Sequence, residues 1–159
     1  MQNVKEEWRS VRDWEGLYEV SNLGRVRSVP REHVRLGRGG KPTTFRYGYK
    51  LLRPGERHHG YLQVVLSDMV NNRQKIAKVH RLVCDAFHGP QPGWDYEVAH
   101  KDHNPKNNEA ANLHWTTHQA NIQDSASVGR LGGQQKDASN HSGVVGVTWE
   151  KTRRRWLAQ

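Results

Sequence analysis

One histidine and two asparagines carry the clearest chemical pattern in this chain. In V-A-H-K-D-H-N-P-K-N-N-E-A-A-N-L-H-W-T-T-H-Q-A-N, running from Val98 to Asn121, His100 is followed twelve residues later by Asn112 and nine after that by Asn121. Hydrolysis of a phosphodiester needs a base for water, a positive charge near the developing anion and the leaving oxygen, and groups that fix both. An imidazole with the ordinary pKa of ~6.5 is mostly neutral at physiological pH and can act as that base once its ring is aimed. An amide oxygen on an adjacent strand can accept Nδ1–H and leave Nε2 for water; Asn112 is placed to do this or to pin the connecting loop. Asn121 offers a hard oxygen ligand suited to Mg²⁺, with water and phosphate in the other positions. Taken singly, each residue has a plainer reading: a strand histidine is more often structural, and N-N-E-A-A-N is the composition of any polar turn. The joint spacing favours a site.

Elements must hold those groups. The pattern around His100 reads as strand, polar loop, an N-L-H-W strand and a short helix, with Thr116 and Gln119 at capping-box spacing. On that helix His118, Asn121 and Ile122 share a face, with Asp124 and Ser125 a turn further on. Upstream, Y-L-Q-V-V-L-S and Q-K-I-A-K-V form a hairpin, and V-H-R-L-V-C-D-A-F-H reads as a helix with apolar residues at 79, 82, 83, 86 and 87, ended by Gly89-Pro90. His80 points to the apolar face of that helix and reads as half-buried and structural. Nearer the N-terminus, W-E-G-L-Y-E-V-S, N-L-G and R-V-R-S-V read as strand, tight turn, strand over residues 6–30, Asn22 and Gly24 supplying the positive-φ tolerance of the turn. Residues 31–59, rich in Arg, Gly and His, read as an irregular basic connector in which His58-His59 is plain loop. Residues 60–128 form the central unit and 129–142 a polar, Gly-rich linker. The last unit, 143–159, reads as a β-hairpin with a basic turn.

Composition limits the partners. With 159 residues, 34% of them hydrophobic, small clusters anchored by six Trp residues are expected rather than one large core. A formal net charge of +9 favours a polyanionic partner. Arg25, Arg27, Arg81, Lys101 and Arg153 to Arg155 are the phosphate candidates, although for Arg25 and Arg27 a solvated hairpin face is an equal reading. A single cysteine, Cys84, excludes an internal disulfide framework and a Cys-based zinc clip, and reads as a small buried hydrophobe. Without a signal peptide or a membrane-length apolar run, a cytoplasmic monomer is expected.

The stretch from about Tyr61 to Val128 resembles an HNH endonuclease of the kind found in phage and intron homing enzymes, on V-H-R-L-V-C-D-A-F-H-G, V-A-H-K-D-H-N-P-K-N-N and N-L-H-W-T-T-H-Q-A-N. W-E-G-L-Y-E-V-S-N-L-G-R-V-R-S resembles the small NUMOD-like DNA-binding module that commonly precedes such nucleases. S-G-V-V-G-V-T-W-E-K-T-R-R-R-W-L-A resembles the opening strands of an APETALA-type DNA-binding domain, which is cut short here at Gln159. The resemblance implies an α+β protein with a central ββα-metal motif between β-hairpin DNA-binding units. It implies a general base at His100, the middle asparagine at Asn112, a metal ligand at Asn121, one Mg²⁺ or Mn²⁺ ion, and double-stranded DNA as partner. Many relatives carry an Asp or His as a metal ligand immediately before the base. Here that position is Ala99, whose methyl cannot coordinate; Asp102 shares the His100 face if the strand continues that far, and Asp124 or His118 can approach from the helix. A DNA-binding protein with weakened or lost cleavage is the alternative.

Overall fold

The computed structural model describes residues 4–127, 147–150 and 155–158. The first three strands, β1 (Trp8–Ser10), β2 (Tyr18–Ser21) and β3 (Val26–Ser28), are antiparallel, with Trp8 opposite Ser21 and Val20 opposite Val26. Alternation along β2 and β3 turns Tyr18, Val20 and Val26 inward. The N-L-G turn joins the two strands with Gly24 at φ 79°, where a side chain would be strained.

Residues 31–59, expected as an irregular connector, are largely paired. Strands β4 (Arg31–Leu36) and β5 (Pro42–Tyr47) form a six-pair antiparallel ribbon running from Arg31 opposite Tyr47 to Leu36 opposite Pro42. The physical reason lies in T-T-F-R-Y, a run of β-branched and aromatic residues that pairs well across strands despite its exposure. Glycines 39 and 40, both at positive φ, allow the tip to reverse. Beyond it, β6 (Lys50–Leu51) adds to the edge of the first sheet beside β3, and β7 (Gly55–Glu56), β8 (Leu62–Asp68) and β9 (Arg73–Lys78) make a three-stranded sheet.

Helix α1 (Val79–His88) follows β9 without a break and ends at Gly89, at φ 86°. Its Val79, Val83 and Cys84 are buried together with Val20 and Val26 of the first sheet, Val64 and Leu66 of β8, and Leu113. One core therefore serves the N-terminal and central segments. The Tyr18 hydroxyl locks them further, donating to the Ser67 carbonyl and accepting from the Ser67 N–H, both at 3.0 Å. Burial raises the Cys84 thiol to about 12, which leaves it unreactive.

A second hairpin carries His100. Strand β10 (Tyr96–His100) pairs with β11 (Leu113–Thr117), His100 opposite Leu113 and Ala99 opposite His114. The chain forms two compact units, 1–117 and 118–159. In the second, α2 (His118–Ser127) is a helix, and β12 (Val147–Glu150) pairs with β13 (Arg155–Ala158), Trp149 opposite Trp156. Helices and strands are thus mixed, as the α+β expectation has it.

Candidate active site

His100 ends β10, 7% exposed, where the ladder gives way to the loop of residues 101–112. Its ring meets the His80 ring edge-on, with centroids 5.4 Å apart, and Tyr61 at 6.1 Å. Burial depresses the His100 pKa below its usual value, against the opposing pull of its hydrogen bond to the Asn108 amide oxygen. The imidazole is therefore neutral near pH 7 and able to accept a proton. His80 lies deeper than a half-buried residue, at 3% exposure. Burial first, then the nearby imidazole and cationic groups, pushes its pKa down to about 3. A neutral His80 adds no repulsive charge beside His100.

The loop is organised around Asp102. Its carboxylate accepts from the Asn104 N–H (2.9 Å), the Asn107 amide (2.7 Å) and the Asn112 amide (2.8 Å). These bonds, the Asn104 N–H foremost, hold its pKa at about 2. The Asn112 amide works on the same loop, accepting from the Asp102 N–H at 3.1 Å and donating to the Asn107 carbonyl at 2.9 Å. Strand β10 ends at His100, so Asp102 stands in the loop and not on the strand face expected for it. Strand alternation stops at His100, His103 takes φ 56°, and the carboxylate turns into the loop.

The side chain that reaches His100 is Asn108, which sequence spacing missed. Its Oδ1 lies 3.3 Å from His100 Nε2, and the residue is 4% exposed. Nothing in K-N-N-E marks it out from the other asparagines of the loop; only its burial does. Asn121, on α2, belongs to the second compact unit.

The phosphate candidates divide. Arg25 is ion-paired with Glu6, and Arg27 bonds Glu19 at 2.7 Å while its guanidinium stacks 3.9 Å from the Trp8 ring. These two arginines brace the first sheet. The Lys101 ammonium folds back onto the Ala111 carbonyl at 2.7 Å. Arg81 is exposed on α1. Arg153 and Arg154 lie outside the described residues, and Arg155 opens β13. The exposed ribbon β4–β5, with Arg35, Arg38 and Lys41 near its tip, offers basic surface.

Comparison with known proteins settles what this hairpin and loop belong to. Residues 77–123 match the HNH endonuclease family model, and residues 6–67 match the NUMOD4 motif. The segment around His100 is thus similar to HNH endonucleases. The chain is 32% identical over 126 residues to the DNA endonuclease I-HmuI of Bacillus phage SP01, an alignment covering 79% of this chain and 60% of that one. A solved structure of the HNH homing endonuclease I-HmuI, which binds and cleaves DNA, matches with a TM-score of 0.58 over 78% of this chain. An uncharacterised HNH endonuclease of Acanthamoeba polyphaga mimivirus is 34% identical over 104 residues, 65% of this chain and 25% of that protein. The chain thus spans about 60% of the length of I-HmuI. Among the described residues, no helix is long and apolar enough to cross a membrane.

Proposed function

We propose that this chain is a metal-dependent DNA endonuclease of nicking or homing type, acting as a monomer on duplex DNA, with His100 as the general base. The observation that carries the reading is a buried, neutral histidine at a strand end, against a cross-braced loop, inside the residues that match the HNH domain. His100 takes a proton from water as that water attacks phosphorus, the P–O bond to the leaving ester oxygen breaks, and that oxygen departs as the alkoxide to be protonated by solvent. Asn112 and Asp102 contribute indirectly, by holding the loop that frames the base.

A divalent cation, Mg²⁺ or Mn²⁺, supplies Lewis-acid stabilisation of charge on the scissile phosphate when bound. The residues fit such an ion only in part. Ala99 offers a methyl, Asp102 is engaged in its loop, and no group of three or more His, Cys, Asp or Glu able to hold a metal occurs among the described residues. Asn121 is the protein ligand proposed on sequence spacing, with water and DNA phosphate completing the shell. For DNA contact, Arg81 and the β4–β5 ribbon are better placed than the paired Arg25 and Arg27. A two-stranded ribbon has the width of the major groove. The C-terminal hairpin is proposed as part of an APETALA-type DNA-binding unit, on its sequence and its strand pairing.

Ala99 favours one second reading, a DNA-binding protein whose cleavage is weakened or lost. Nicking of supercoiled plasmid across Mg²⁺ and Mn²⁺, with wild type and Ala99→Asp, separates the two. Metal-dependent nicking by wild type supports the nuclease. Binding without cleavage under every metal supports the second reading, and strong activation by Ala99→Asp would identify the missing ligand as the cause.

A further inference from the structure

We propose that the N-terminal unit is a built part of the catalytic centre: its Asn22–Gly24 turn seats Asn108, and Asn108 holds His100 in the tautomer that leaves Nδ1 free to accept a proton. The proposal rests on the reading of His100 as the base and adds to it what aims the ring.

The first link is the hydrogen bond between His100 and Asn108, both buried. The Asn108 amide is oriented by its own Nδ2, which donates to the Lys106 carbonyl at 3.3 Å. Its Oδ1 therefore faces the ring, and an amide oxygen only accepts. A neutral imidazole has one N–H, so Nε2 carries it and the lone pair sits on Nδ1. This reverses the arrangement expected from Asn112, which assigned the proton to Nδ1 and the basic site to Nε2.

The second link is steric. A Cβ on Gly24 would stand 2.9 Å from both the Cβ and the carbonyl oxygen of Asn108. No side chain fits in that gap, so the backbone of the N-L-G turn lies directly against the residue that meets the base. The third link is polar: the Ala110 N–H donates to the Asn22 carbonyl at 2.8 Å, two residues along the loop from Asn108. Asn22 is itself fixed, its Oδ1 accepting from the Glu7 N–H (2.8 Å) and its Nδ2 donating to the Lys5 carbonyl (3.1 Å). A continuous path of contacts thus runs from residues 5–7 through the turn and the loop to His100. If Asn108 were only a satisfied turn residue, its loss would leave the imidazole unchanged.

Two-bond ¹⁵N–¹H spectra of the full chain, recorded well above the usual imidazole pKa of ~6.5, read the tautomer directly, and the His100→Ala spectrum assigns the signals. Wild type should show His100 as the Nε2–H form. Asn108→Ala should give a mixture of tautomers, with kcat for nicking lower by on the order of 10²-fold and KM little changed. Asn108→Asp retains an acceptor and should retain the Nε2–H form. Gly24→Ala should also yield the mixture; Asn22→Ala loosens the turn without adding an atom and decides the point if Gly24→Ala does not fold. An Nδ1–H form in wild type, or an unaltered tautomer in Asn108→Ala, overturns the proposal. An unaltered tautomer in folded Gly24→Ala and Asn22→Ala overturns the part played by the turn. Undiminished nicking by His100→Ala would instead remove the base assignment and leave the tautomer result standing.

Discussion

At the scale of single residues, burial keeps the imidazoles of the proposed site neutral. Burial lowers the His100 pKa, so the base is unprotonated above a folded-state pKa that lies below the ordinary ~6.5. As pH falls through that value the base is lost, and the acid limb of the kcat/KM profile for nicking is expected below ~6.5. His80 links to stability in the same direction. Its folded pKa of about 3 lies below the unfolded value of ~6.5, so the unfolded chain takes up a proton first as pH falls. Stability contributed by neutral His80 is complete above ~6.5 and declines toward pH 3 by at most ~1.4 kcal/mol per pH unit. Urea unfolding of wild type and His80→Phe should differ in that slope; equal slopes would contradict it. Spacing alone singles out His100 and Asn112. It does not single out Asn108, because three loop asparagines, 104, 107 and 108, are alike in sequence and only the packing against Gly24 distinguishes one. The place of Asp102 was not legible, because strand parity does not extend past His100, where the chain leaves the sheet.

At the scale of elements, the loop 101–112 and the ribbon β4–β5 carry the differences. The Asp102 carboxylate joins the loop's start, middle and end, so Asp102→Ala is expected to lower both melting temperature and nicking rate while leaving duplex binding largely intact. Its folded pKa of about 2 lies below the usual ~3.9, so the brace persists until pH falls toward 2. Unchanged nicking by Asp102→Ala would show that the loop is held otherwise. The hairpin β8–β9 and helix α1 were legible because apolar spacing and Gly89-Pro90 are strong local signals. The ribbon was hidden by its composition: Arg and Gly predominate, and no buried face alternates through it. If it lies on DNA, replacing Arg35, Arg38 and Lys41 together by Ala should reduce the slope of log K against log salt by about 2–3. An unchanged slope would place the DNA elsewhere.

At the scale of the whole molecule, the N-terminal segment and the HNH hairpin share one core, a feature that separate motifs in the sequence do not convey. Val20, Val26, Leu66, Val83 and Leu113 come from both and are buried together. Sequence marks where a module begins, but the pairing of Tyr18 with Ser67 across 49 positions is a long-range result of packing. Tyr18→Phe, which leaves both Ser67 backbone groups short of a partner, should cost about 1–3 kcal/mol. It should also shift the unfolding of the two segments together; separate transitions would contradict a shared core. The proposal turns on one base, and the decisive measurement is metal-dependent nicking of supercoiled plasmid by His100→Ala beside wild type, with duplex binding followed in parallel. Retained binding with nicking abolished in the variant is the expected result. Undiminished nicking by the variant would contradict the assignment of His100 as the catalytic base.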